Sequence, residues 1–95
     1  MKWIGVWSEG APDSSDRSLV QEALDQVLHK TGPFVLLTQG RGGPEWFSVV
    51  WARGEGVDCY LTPTPEAHDL DGLVVFGQGE PSWAPIGKVA RRPCA

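Results

Sequence analysis

The residues that could do chemistry gather in one stretch, Gln39-Gly40-Arg41-Gly42-Gly43-Pro44-Glu45. Glycines at this density let backbone come close to a ligand. A helix opening directly after them presents bare N–H groups and a partial positive charge to an anion. For a nucleotide or phosphosugar, Gly40, Gly42 and Gly43 would approach the phosphate and Arg41 would add a charge-assisted hydrogen bond. Glu45 would hold a ribose hydroxyl or serve as the catalytic general acid or base. The plainer alternative is that Gly42-Gly43-Pro44 caps a helix, Arg41 is solvated and Glu45 complements the helix dipole. Two further turns have related content, Ser8-Glu9-Gly10 and Gly77-Gln78-Gly79-Glu80-Pro81-Ser82. Glu9, Glu45 and Glu80 on one rim would repel a phosphate. As ligands for a hard cation they lack a fixed spacing, so neither a metal nor a cofactor is expected.

The elements that must position these turns follow from the apolar pattern. Residues 2–7, with Trp3, Ile4, Val6 and Trp7, read as a strand covered on both faces. Residues 8–15 are turn formers. Residues 16–31 carry an apolar stripe of Leu19, Val20, Ala23, Leu24, Val27 and Leu28 at helical spacing. Asp16 or a preceding Ser would cap that helix; Gly32 and Pro33 would stop it. His29, at its end, reads as a partner of the helix dipole. A strand is predicted over 34–38, a helix over about 44–54 with Pro44 at its first position, and a strand over 57–61. A polar connection over 62–72 holds at most one helical turn after Pro65. A fourth strand is predicted over 73–77 and a short helix over about 85–92, with Ile86, Val89 and Ala90 as its apolar side.

Strands alternating with helices predict an α/β fold, a Rossmann-like three-layer domain with a mostly parallel four-stranded sheet in the order 3-2-1-4. Ligands of such sheets sit outside the carboxyl ends of the strands, where the strand order reverses. All three turns follow strand ends and are expected on one rim.

Composition narrows the function classes. The 95 residues suit a single domain. A net charge of -4 and a pI near 4.9 repel nucleic-acid phosphates, so nucleic-acid binding is not expected, a local exception being the tail with Lys88, Arg91 and Arg92. The spacing of Cys59 and Cys94 does not suit zinc and reads as two reduced thiols. No apolar run approaches the roughly 18 residues of a membrane helix, and the start is too short for a signal peptide. No membrane association and a cytoplasmic location are expected.

Five tryptophans are many for this length. Trp3, Trp7 and Trp51 read as core. Stacking on a base needs an exposed ring near a turn, for which Trp46 and Trp83 are the candidates, and Trp83 divides evenly between its own core and another chain. Both long helices belong to right-handed crossovers and must share one face. Only the short C-terminal helix would then cover the other, whose bare apolar surface would mark an interface. A homo-oligomer, or docking on another protein, is therefore expected.

The helix from Asp16-Arg17-Ser18-Leu19-Val20 through Ala23-Leu24, the segment Gly32-Pro33-Phe34-Val35-Leu36, and Trp51-Ala52-Arg53 before Gly56-Val57 resemble the SLOG superfamily of Rossmann-like proteins, nearest its YspA/YpsA-like branch. Val74-Val75-Phe76 and Val89-Ala90-Arg91-Arg92 fit the last strand and helix of that pattern. The superfamily includes cytokinin-activating phosphoribohydrolases and the DNA-processing protein that loads recombinase onto single strands. The resemblance implies a nucleotide- or phosphosugar-binding module, and any surviving activity would be that of a phosphoribohydrolase-like N-glycosidase. The turns depart from the family pattern. Glu9 stands where the first turn usually has Arg, Glu45 where the second has Asp, and Glu80 adds a carboxylate to the third. Efficient catalysis is therefore not expected. The alternative is a non-catalytic accessory protein, of phage or mobile-element type, built on a degenerate Rossmann-like scaffold.

Overall fold

The computed structural model describes residues 1–9 and 17–92. Its elements are β1 (Lys2–Ser8), α1 (Arg17–Thr31), β2 (Phe34–Thr38), α2 (Pro44–Glu55), β3 (Asp58–Leu61), a single 3-10 turn at Pro65–Ala67, β4 (Gly72–Phe76) and β5 (Val89–Arg92). The sheet is five-stranded in the order β3-β2-β1-β4-β5, and every pairing is parallel. The α/β class, the parallel sheet and the order of the first four strands are as predicted. Asp16 and the serines before it, Gly10 and Cys94 lie outside the described residues.

Alternation along each strand divides the interior in two. Ile4, Val6, Phe34, Leu36, Val74 and Phe76 point to the face carrying both helices, where they meet Val20, Ala23 and Leu24 of α1 and Trp51 and Ala52 of α2. Trp51 also joins the helices by a polar bond, its Nε1–H donating to Asp25 Oδ1 at 2.8 Å, and its ring lies against Phe34 at 6.0 Å. The other face presents Leu37, Leu73 and Val75, packed with Leu70, Trp3, Trp7, Trp83, Ala84 and Val89.

The predicted C-terminal helix is not formed. Pro85 and Gly87 interrupt it, Ile86 is 99% exposed, and Val89–Arg92 pairs with the open edge of β4. That pairing satisfies backbone a helix would have left bare: Leu73 N–H donates to Lys88 O at 2.9 Å and Gly77 N–H to Arg92 O at 3.0 Å. The sheet consequently has five strands instead of four.

The second face is also not bare. The connections 62–71 and 77–88 lie across it and bring Pro65, Leu70 and Pro81 into buried positions. The third layer is built of these connections, which removes the reason for expecting a large apolar patch there. Trp83 packs against its own core. Large apolar side chains that remain exposed include Tyr60 and Leu61 on the β3 edge and Trp46 at the start of α2. No helix among the described residues is long and apolar enough to cross a membrane.

Candidate functional site

Because the strands are parallel, β1, β2 and β4 all release the chain at the same end of the sheet. Two of the predicted turns meet there around Glu45. Pro44 opens α2, and Gly43 before it has φ 60° and ψ -137°, a conformation only glycine adopts without strain. Gly40 has φ 70°, and a Cβ on it would stand 2.7 Å from Leu61 Cδ2. These backbone conformations turn the chain back so that Glu45 points under the turn and not into solvent.

Glu45 is fully buried. Its Oε2 accepts the Ser8 backbone N–H at 3.0 Å, and the Ser8 hydroxyl lies 3.4 Å away. Its Oε1 accepts the Arg41 backbone N–H at 3.2 Å and faces the Thr38 hydroxyl at 3.5 Å. The Arg41 guanidinium closes the cluster: Nη2 donates to Glu45 Oε2 at 2.7 Å and to the Ser8 carbonyl at 2.7 Å, and Nε lies 3.1 and 3.3 Å from the two carboxylate oxygens. The Trp7 ring flanks the guanidinium at 5.7 Å. A buried carboxylate is tolerable here because a cation and two backbone amides compensate it. The Arg41 side chain remains 42% exposed at the rim.

The turn after β4 is organised by another arginine. Arg91 Nη1 donates to the carbonyls of Gly77, Gln78 and Gly79 at 2.9, 2.7 and 3.0 Å, and its Nη2 lies 3.5 Å from Glu80 Oε2. Glu9 spans from β1 to this turn, its Oε2 accepting the Gly79 N–H at 3.0 Å. Ser82 is exposed, and Gln39 donates through Nε2 to the Pro63 carbonyl at 2.9 Å, away from the cluster around Glu45.

Each of the three acidic side chains has a partner of its own. Glu45 is paired with Arg41, Glu80 with Arg91, and Glu9 is bonded to backbone. Among the described residues no group of three His, Cys, Asp or Glu is placed to hold a metal ion. Thr38 and Arg91 are the positioning residues that sequence reading missed. Thr38 had only its polar place at a strand end to mark it. Arg91 was visible in the basic tail, but the helical reading of 85–92 gave it no turn to hold. A groove of about 140 Å³ lies elsewhere, between α1 and β5, lined by Leu19, Glu22, Ala23, Gln26 and Arg92. None of the rim residues contributes to it.

Comparison with known proteins gives no match: no family model, no curated protein and no solved structure matches this chain.

Proposed function

We propose that the chain is a binding module for a nucleotide- or phosphosugar-like small molecule, without efficient catalysis. The observation that carries this reading is the partly exposed side chain of Arg41, its guanidinium held at the strand-end rim by a buried carboxylate. Its bonds to Glu45 and Ser8 use Nε and Nη2, and Nη1 takes part in none of them. A cation fixed in this way has lost its side-chain freedom before a ligand arrives, which favours binding of a phosphate. In this reading Glu45 is a positioning residue. Both of its oxygens are engaged and the side chain is sealed from solvent, so it orients Arg41 and does not move a substrate proton.

One observation favours the second reading, a non-catalytic accessory protein that works by contact with another protein or with a second copy of itself. The Ser8 and Gly79 amides, which an anion would use, are both taken by the chain's own carboxylates.

A thermal-shift panel of nucleoside monophosphates, cyclic nucleotides, ribose 5-phosphate and ADP-ribose separates the two. A ligand at a hundred times its dissociation constant stabilises by about 2.7 kcal/mol. The binding reading expects a shift that disappears in Arg41→Ala. No shift with any compound, together with a stable oligomer by light scattering, overturns it in favour of the second.

A further inference from the structure

Glu9 and Gly79 face each other across the point where the strand order reverses. β1 and β4 are neighbours there, with Ser8 in register with Phe76. The turn beyond β4 has its three carbonyls committed to Arg91, so the amide it offers toward β1 is that of Gly79. Position 79 is shaped around a carboxylate. A Cβ there would stand 2.7 Å from the Glu9 carboxyl carbon and 2.8 and 2.9 Å from its two oxygens. Glu9 itself is exposed and follows the last residue of β1, so its side chain can leave without disturbing the sheet.

We propose that Glu9 is a built-in occupant of the ligand's anion position: its carboxylate stands on the Gly79 amide where a phosphoryl oxygen would sit, and binding requires its displacement. The inference rests on the phosphosugar or nucleotide reading of the rim. A carboxylate and a phosphoryl group are both anionic acceptors suited to a backbone N–H. One amide cannot serve both, and the two negative charges repel at that distance. On the other side of Glu9, Arg41 Nη2 donates to the carbonyl of Ser8, the residue before it. Glu9 thereby holds the rim closed to weakly binding anions.

The test is a titration of isotope-labelled protein with ribose 5-phosphate, followed by amide NMR, in the unmodified chain, in Glu9→Ala and in Glu9→Ala/Gly79→Ala. Glu9→Ala is expected to bind about tenfold tighter, the equivalent of one charge-assisted hydrogen bond, with the largest shift at the Gly79 amide. The double variant has the same net charge but fills the anion position with a methyl group, and it is expected to lose the gain. Equal affinity in the unmodified chain and Glu9→Ala overturns the displacement proposal and leaves the binding reading standing. A gain that survives in the double variant reduces the effect to net charge and also overturns the proposal. Absence of binding in all three chains overturns both the proposal and the reading beneath it.

Discussion

Replacing Arg41 with Met tests whether the rim is held together by its ion pair. The substitution keeps much of the apolar stem but removes the guanidinium bonds to Glu45 and to the Ser8 carbonyl. The carboxylate stays buried, with the Ser8 and Arg41 amides and two hydroxyls as its remaining partners. Breaking a fully buried pair costs about 3–5 kcal/mol. Water screens part of this pair, because the Arg41 side chain is 42% exposed, and the amides retain part of the compensation. A loss of about 2–3 kcal/mol is expected. For a chain of this size that lowers Tm by about 10–20 °C. Glu45→Gln is also destabilising, since its amide NH2 must face a donor on one side. Once the carboxylate is gone, however, the loss of Arg41 costs less. Urea unfolding followed by tryptophan fluorescence should therefore give the double variant a smaller loss than the sum of the singles, by at least about 1 kcal/mol. Arg41→Met within about 0.5 kcal/mol of the unmodified chain, or additivity within about 0.3 kcal/mol, would refute the reasoning.

Two further outcomes are expected. Gly5 is buried in β1, and a Cβ there would lie 2.9 Å from Leu73 Cδ1 and 3.0 Å from Leu70 Cδ1, so Gly5→Val should overpack the second core and lower stability by about 1–3 kcal/mol in urea. Burial pushes the Cys59 thiol above its ordinary value of 9.0, with Arg53 opposing. The folded state then holds the thiol proton more firmly than the unfolded state does. The stability this contributes is fully present below pH 9.0 and is lost as pH rises above it. In a Cys94→Ala background, Cys59→Ala should flatten that alkaline decline in urea midpoints measured from pH 8 to 10.5.

Much of the architecture was legible because its causes are local. Leu19, Val20, Ala23 and Leu24 repeat at helical spacing, Pro44 marks a helix start, and the strands Phe34–Thr38 and Gly72–Phe76 are nearly unbroken apolar runs. What could not be read depends on partners distant in sequence. Ile86, Val89 and Ala90 have the spacing of a helix face, and only the open edge of β4 makes Val89–Arg92 a strand. The covering of the second face by 62–71 and 77–88 is likewise tertiary, since nothing in a polar connection announces that Leu70 will be buried. At the site, the glycine turn was legible, whereas the pairing of Arg41 with Glu45 was not read although the two lie four residues apart, because it depends on the turn folding Glu45 back beneath Arg41. The Ser8 amide that fixes Glu45, and the Arg91 that holds the third turn, were not legible either.

The middle position of β1 governs the order in which the sheet can assemble during synthesis. Its Ile4 pairs with Leu36 on one side and with Gly72 on the other. A nascent chain that has emerged only as far as β3 can complete the half containing both helices, but must wait for residues 72–76 before the opposite flank closes. Until then one row of β1 peptide groups and the rings of Trp3 and Trp7 lack their later neighbours. Chaperone capture and aggregation should accordingly be greatest in that interval, and a fragment stopping short of Gly72 should expose tryptophan to solvent where the whole chain shields it.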